Sequence, residues 1–307
     1  MRSFYKILLF SAFLGGCQEQ KTSQENAYLG ADTFIPSDFT KSLVKEYSKE
    51  EMEKVEEDYA RLRDFIFKKV VSKKHYVATA GGPGASKSTI LETFLQDQKL
   101  NYAYIDPDQR GLRYMMSTYL SDMNLYTLSQ HSSFAATLEK SYTKWRGASN
   151  YIANRLLNEA VDKGYAIAHG TTSTAKVMDK FYETLKKKGY EITLLLCAST
   201  DENRFNAIDQ RAKVQGFVQS TREDVIKKGE GFFETMPLYF KWADQLYVYW
   251  VDDFQKGFVL SATYTQKEGL KIVDEKGFTA FKNAYNTYRH AHSDKKLPQF
   301  NDLMRGS

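Results

Sequence analysis

The stretch HYVATAGGPGASKSTILE, residues 75–92, is the part of this sequence that says most about its fold. An apolar run ends in small residues, a glycine-rich segment follows, and Lys87 and Ser88 open an amphipathic run. This order is typical of a strand, a turn and a helix N-terminus. The N–H groups of such a turn converge on phosphate oxygens, and the positive end of the helix favours the same anion. The stretch therefore predicts a phosphate-binding loop.

The loop nearly meets the pattern G-x-x-x-x-G-K-[ST] between Gly81 and Ser88, but Ser86 stands where the pattern has its second glycine. The Cβ of Ser86 would crowd the phosphate, or its hydroxyl would add a hydrogen bond. In this pattern Lys87 reaches the β- and γ-phosphates and the Ser88 hydroxyl is a ligand of Mg²⁺. The alternative is a glycine-rich turn that caps a buried helix, with Lys87 solvated. The predicted nucleotide-binding residues are Gly81, Gly82, Pro83, Gly84, Ala85, Ser86, Lys87, Ser88 and Thr89.

Length and composition are those of a folded globular protein. The 307 residues suit one large α/β domain with additions, or two small domains, and 42% hydrophobic content argues against extensive disorder. The net charge of +5 is mild, and the lysines alternate with acidic residues rather than forming a stripe. A nucleic-acid surface needs concentrated positive charge and stacking aromatics, so no nucleic-acid partner is expected.

The N-terminus has the features of a lipoprotein signal. Arg2 and Lys6 precede a short apolar run that ends at Cys17, and residues 14–17 resemble a bacterial lipobox. We therefore expect a signal segment over 1–17, a polar tether over 18–36 and membrane attachment only through a lipidated Cys17. The protein would then be a cell-envelope lipoprotein. A misassigned start codon or a buried apolar helix is the alternative, and the protein would then be cytoplasmic.

Strands and helices alternate along the rest of the chain. Predicted helical regions cover 38–73 (one broken helix or two), 87–97, 110–164 with a polar break near 121–133 and a long helix over 134–163, 173–188, and most of 201–243. Predicted strands cover 75–80, 102–106, 165–168, 190–198 and 244–252. This alternation predicts a doubly wound α/β fold with a mostly parallel sheet over 37–252. Residues 253–307 form a small C-terminal β–β–α appendage, and Cys197 in the most apolar strand is a core residue.

Carboxylates follow the strand that comes after the loop. Asp106 and Asp108 lie at the carboxyl end of this strand, the edge of a parallel sheet at which ligands bind. Both are candidates for a general base or for a place around a metal. Either one could instead only cap the next helix.

Two further groups are candidates for contact with a ligand. His169 and Thr171 belong to a polar cluster at the end of the third strand, although a single histidine is more often a structural residue. Arg211 and Arg222, separated by a break at Gly216, would form a segment over the phosphates. The alternative for the two arginines is a pair of surface ion pairs.

Taken together, these motifs give residues 36–250 a resemblance to the zeta-toxin group of P-loop kinases. That group phosphorylates UDP-N-acetylglucosamine or related UDP-amino sugars with ATP. The matching stretches are the polar N-terminal helix, GGPGASKS, YIDPD, the pair Gly164–Tyr165, GYEITLLL, and the arginines of IDQR and STRED.

The resemblance implies roles for individual residues. Lys87 and Ser88 would bind ATP–Mg²⁺, Asp108 would be the base on the sugar hydroxyl, and Arg211 and Arg222 would clamp the transferring phosphoryl group. Asp106 and Thr171 would contact the substrate. A nucleotide sugar is the implied small-molecule substrate, and an antitoxin protein is an implied partner.

This chain departs from the family pattern on the sugar side. His169 and Asn154 stand where the family has acidic residues that contact the substrate. We therefore expect a preference for a nucleotide sugar or hydroxylated metabolite other than UDP-N-acetylglucosamine. Two alternatives remain: a kinase of another metabolite or an antibiotic on the same scaffold, and a non-catalytic nucleotide-binding envelope lipoprotein.

Overall fold

The computed structural model describes residues 35, 37–108, 114–128, 133–174 and 177–304, with no side-chain description for 125–128. The expected signal segment with Cys17 lies outside these residues, and so does the tether except for residue 35. No described helix combines the length and the apolar character needed to cross a membrane. The localisation therefore stays a prediction.

The centre of the fold is a seven-stranded sheet with the order β2–β3–β1–β4–β5–β6–β7. The first five strands in this order are parallel, while β6 and β7 are antiparallel. The strands are β1 (His75–Ala80), β2 (Ala103–Ile105), β3 (Ile167–His169), β4 (Glu191–Ser199), β5 (Gln245–Asp253), β6 (Gly257–Thr265) and β7 (Gly269–Ile272). The predicted fold class, a mostly parallel α/β sheet with a phosphate loop after β1, is confirmed.

Helices cover both faces of this sheet. The α-helices of the described residues are α1 (Ser37–Ser42), α2 (Lys49–Phe67), α3 (Lys87–Gln96), α4 (Tyr119–Leu128), α5 (Phe134–Asp162), α6 (Met178–Lys187), α7 (Asp201–Gln215), α8 (Arg222–Glu234), α9 (Met236–Trp242) and α10 (Glu275–Ala291). On one face, Ile90, Leu91 and Phe94 of α3 pack on β1, β4 and β5. The other face carries the larger apolar core, to which α2, α5 and α6 contribute. Cys197 lies in the core under α3, 1% exposed, as expected.

The region 38–73 contains two helices. Ser48 begins α2 with a capping box, in which its hydroxyl accepts from the Glu51 N–H and the Glu51 carboxylate accepts from the Ser48 N–H. This reciprocal pair satisfies two N–H groups that a helix start leaves free, so a separate helix begins here.

The predicted polar break over 121–133 is wrong for its first half, because α4 extends to Leu128. Contacts with the long helix α5 support α4. Trp145 donates its indole N–H to Asp122 at 2.7 Å, and the Ser141 hydroxyl donates to the Tyr119 carbonyl at 3.0 Å. Polar residues that look like loop residues in sequence are thus stabilised as helix by tertiary contacts.

The C-terminal β–β–α order is confirmed, but its strands belong to the same sheet. β6 pairs with β5 over most of its length, and β7 extends the edge. Phe278, Phe281 and Tyr285 of α10 are buried in the larger core. The expected boundary after residue 252 therefore falls at the end of β5, within the β5–β6 hairpin.

Candidate nucleotide-binding and phosphoryl-transfer site

The phosphate loop connects β1 to α3 and packs closely on α7. A Cβ at Gly82 would collide with the guanidinium of Arg204, and a Cβ at Gly84 would collide with the Arg204 backbone. Gly84 also has φ +82°, in the left-handed region that favours glycine. Glycine is therefore required here for close packing as well as for backbone conformation.

Arg204 of α7 packs against this loop. Its side chain is almost fully buried, donates to the Val225 carbonyl at 2.7 Å and forms an ion pair with Asp201. The guanidinium also lies against Gly229, so it contacts the phosphate loop and α8 together. The sequence analysis missed Arg204, because nothing in the local pattern distinguishes it from other helical arginines.

Ser86 adopts a left-handed backbone conformation, which glycine tolerates better than other residues. Its φ is +54°, and its hydroxyl makes no capping hydrogen bond to α3. An L-residue in this region is strained by the contact of its Cβ with the backbone. The residue thus keeps the backbone path of the common motif at a cost in strain.

Lys87 points its amine back into the loop. Nζ donates to the Gly82 carbonyl at 2.8 Å. Burial lowers the pKa of Lys87 to about 8, and the positive charges of Arg211 and Lys228 act in the same direction. An anion beside Nζ would offset these effects, as a phosphate does in a nucleotide site.

A cleft of about 320 Å³ opens over the loop and brings most of the predicted residues together. The predicted residues that line it are Pro83, Gly84, Ser86, Lys87, Ser88, Thr89, Asp106, Asp108, Thr171 and Arg211. Gly81, Gly82 and Ala85 belong to the same loop but do not line the cleft. The carboxyl edge of the parallel strands therefore holds phosphate-binding groups and carboxylates in one space.

The two aspartates of the cleft have different surroundings. Asp106 is buried, and its Oδ1 accepts the Asp108 N–H at 2.8 Å. Burial raises the pKa of the Asp106 carboxyl. Asp108 is more open, and its Oδ1 accepts from the Gln219 amide at 3.0 Å and the Tyr142 hydroxyl at 3.2 Å. The structure thus places two carboxylates beside Lys87, one enclosed and one accessible.

Several cleft residues were not predicted. Arg146 and Asn150 of α5 line the cleft, and Arg146 donates to the Pro107 carbonyl at 2.6 Å. Lys228 of α8 adds another positive charge. The spacing of Arg146 and Asn150, one helical turn apart, is a signal that sequence alone offers. It becomes informative only once α5 is known to face the strand ends.

Known proteins are similar to this chain in sequence pattern and in fold. The zeta toxin family model matches residues 59–228, more than half of the chain. The chain belongs to the zeta toxin family. A structure of the PezAT chromosomal toxin–antitoxin system of Streptococcus pneumoniae is similar to it, at 14% identity and TM-score 0.52, over 82% of this chain and 99% of that chain. AvrRxo1-ORF1:-ORF2 with ATP is similar at 10% identity and TM-score 0.45, over 80% and 71% of the two chains. No curated protein sequence matches.

Three residues that the family pattern places at the site do not line the cleft. Arg222, at the start of α8, pairs with Asp209 at 3.1 Å and lies over the Phe205 ring. Asn154 is one turn beyond Asn150 on α5 and is absent from the cleft lining. These two roles stay predictions.

The third of these residues is His169, the last residue of β3, which is hydrogen-bonded to a side chain of β1. Its Nδ1 is hydrogen-bonded to the Tyr76 hydroxyl at 2.8 Å. Burial lowers the pKa of His169 to about 4, so the ring is neutral at pH 7. The cleft instead receives the residues that follow His169, namely Gly170, Thr171 and Thr172. A substrate contact through His169 also stays a prediction.

The cleft residues fit a nucleotide with its metal ion. Ser88 and Thr89 are exposed at the first turn of α3, where hydroxyls and free N–H groups meet an anion. Among the described residues, no group of three or more His, Cys, Asp or Glu side chains could hold a metal ion alone. A Mg²⁺ here would therefore need the Ser88 hydroxyl together with phosphate oxygens. Family and fold together support a nucleotide-dependent phosphotransferase.

Proposed function

We propose that the protein transfers the γ-phosphoryl group of ATP to a hydroxyl of a small molecule. The observation that carries this proposal is the convergence of the phosphate loop, Lys87 and the Asp106–Asp108 pair in one cleft. Phosphoryl transfer depends on positioning and on neutralising charge. Arg211 and Lys228, which line the same cleft, supply such charge.

In the proposed step the acceptor oxygen bonds to the γ-phosphorus while the bond from that phosphorus to the β–γ bridging oxygen breaks. The bridging oxygen leaves with ADP. Asp108 accepts the proton of the acceptor hydroxyl, since its carboxylate is the more accessible of the two. A bound Mg²⁺, held by Ser88, would supply charge neutralisation at the phosphates.

The acceptor that the family suggests is a UDP-amino sugar or a related small molecule. The cleft supports an anionic or hydroxylated ligand, because Arg146 and Asn150 add a charged donor and an amide on the side of Asp108. The likeness of the fold to a structure from a toxin–antitoxin system is the support for an antitoxin protein as a partner.

The experiment is a turnover assay of the purified chain with ATP–Mg²⁺ and a panel of UDP-sugars. Formation of ADP together with a phosphorylated sugar would support the proposal. Lys87→Ala should weaken ATP binding by removing a charge-assisted contact to phosphate. Asp108→Asn should lower turnover about 10²–10⁴-fold, because it removes a general base, and should leave ATP affinity nearly unchanged.

Two outcomes would contradict the proposal. Equal ATP affinity of the wild type and Lys87→Ala in calorimetry would contradict the assignment of the nucleotide site. ATP binding without transfer to any UDP-sugar or other alcohol tested would leave a non-catalytic binding protein. Full turnover of Asp108→Asn would instead show that Asp108 is not the general base and that its role is structural.

A further inference from the structure

A second cavity, of about 330 Å³, lies between α2, β2 and α5. Apart from Asp106 and Ser149, its described lining is apolar or aromatic. The aliphatic part of this lining is Leu62, Ile66, Ile105, Met115, Ile152, Ala153 and Leu156. A mostly apolar space of this kind favours an apolar occupant, as an apolar cavity of about 150 Å³ holds benzene. The cavity is therefore large enough for a ring with a short chain.

This cavity meets the phosphoryl-transfer cleft at Asp106. Asp106 lines both spaces, and the Ser149 hydroxyl in the cavity donates to the carbonyl of Pro107, which lines the cleft. A hydroxyl that reached Asp106 from the cavity side would thus lie at the border of the cleft. The carboxylate of Asp106 would accept its hydrogen bond.

The cavity is also open to solvent on its outer side. Phe65 and Tyr114 stand at this rim with their rings 5.0 Å apart, and they are 60% and 43% exposed. Exposed aromatic side chains beside an apolar cavity are typical of a ligand entrance rather than of a closed core.

We propose that this cavity binds the apolar body of the acceptor, an alcohol that carries an aromatic or branched aliphatic group. Its hydroxyl is then directed past Asp106 towards the cleft. This inference rests on the proposed function and defines its substrate class. The described lining of the cavity contains no lysine or arginine, whereas Arg146, Arg211 and Lys228 line the cleft. Among the described residues, the cavity therefore offers no cationic partner to the diphosphate of a nucleotide sugar.

The test uses 4-phenyl-1-butanol as the probe and 1,4-butanediol as the polar comparison, titrated calorimetrically into the full chain without nucleotide. We expect binding of the phenyl alcohol and at least tenfold weaker binding of the diol. Ala153→Leu fills the cavity and should weaken binding of the phenyl alcohol at least tenfold. Ala136→Leu, the same change at an exposed position of α5 outside the cavity, is the matched control and should leave binding unchanged.

Phe65→Ala provides a second variant whose folding is not at risk, since Phe65 is exposed. This variant should weaken binding of the phenyl alcohol several-fold. Unchanged affinity in both Ala153→Leu and Phe65→Ala, or no binding to the wild type, overturns the inference. Binding that both variants weaken supports it.

A second measurement with ATP–Mg²⁺ separates this inference from the proposed function. Formation of the phosphate ester of the phenyl alcohol supports both. Cavity binding without transfer to any acceptor keeps the cavity as a ligand site but contradicts the kinase. Transfer to a UDP-sugar with no phenyl alcohol binding overturns the inference and leaves the kinase in place.

Discussion

The proposed role of Lys87 needs a positive charge on a half-buried side chain. Its pKa of about 8 lies below the ordinary value of 10.5, because burial disfavours the protonated form. The unfolded chain therefore binds more protons between pH 8 and 10.5, so the nucleotide-free protein gains stability as pH rises through this window. Below pH 8 both states are protonated, and the full cost of the buried charge remains.

The same linkage predicts proton uptake when ATP binds. A phosphate beside Nζ favours the charged amine, so Lys87 should gain a proton on binding at pH 8–9, and ATP affinity should fall as pH rises above 8. Calorimetry at about pH 8.5 in two buffers of different ionisation enthalpy measures the uptake. Lys87→Arg is the control, because its guanidinium stays protonated and should show none. Identical heats in both buffers for the wild type would contradict this expectation.

Ser86 gives a second prediction at this scale. Ser86→Gly should stabilise the protein by about 1 kcal/mol or less, since relief of left-handed strain (roughly 1–2 kcal/mol) exceeds the added unfolded-state entropy. Ser86→Ala keeps the strain and is the matched control, with no gain expected. Urea denaturation measures both. A Ser86→Gly variant less stable than wild type would mean that the Ser86 hydroxyl has a stabilising partner.

At the scale of elements, the contact between α7, α8 and the phosphate loop depends on small residues. Gly229 lies inside α8, where replacement by alanine normally stabilises a helix by about 0.8–1 kcal/mol. Here its Cβ would collide with the buried Arg204 guanidinium. We expect Gly229→Ala to destabilise the protein by about 1–2 kcal/mol, because overpacking outweighs helix propensity.

A double-mutant cycle isolates the cause. Arg204→Ala removes the guanidinium with which the added methyl group would collide, so Gly229→Ala should become neutral or stabilising in that background. Thermal or urea unfolding of the four proteins gives the coupling free energy. Additive effects would show that Gly229 is required for another reason.

At the scale of the whole molecule, the C-terminal segment completes the sheet. Removal of residues 254–307 would leave one edge of β5 without its partner and would uncover the core residues that α10 covers. An unpaired, apolar edge strand promotes aggregation. We expect the fragment 1–253 to be insoluble or unfolded. A monomeric fragment with a native circular dichroism spectrum and a cooperative melt would establish 37–252 as an independent domain.

Features that depend on local order along the chain could be predicted from the sequence. The loop of 81–88, the long helix α5 and the carboxylates after β2 follow from local patterns, because glycines, helical periodicity and strand ends act within a few residues. The burial of Cys197 follows in the same way from the apolar run of β4.

The set of side chains that converge on the cleft could not be predicted from the sequence, because it depends on long-range contacts. Arg204 and Arg146 come from helices far from the loop in sequence. Contacts with α5 stabilise α4, and Tyr76 of β1 is hydrogen-bonded to His169 of β3. Each outcome depends on groups distant along the chain that meet only after the strands have taken the order β2–β3–β1–β4–β5. A local pattern does not predict such long-range contacts, since strand order and helix orientation are fixed by burial of the whole core.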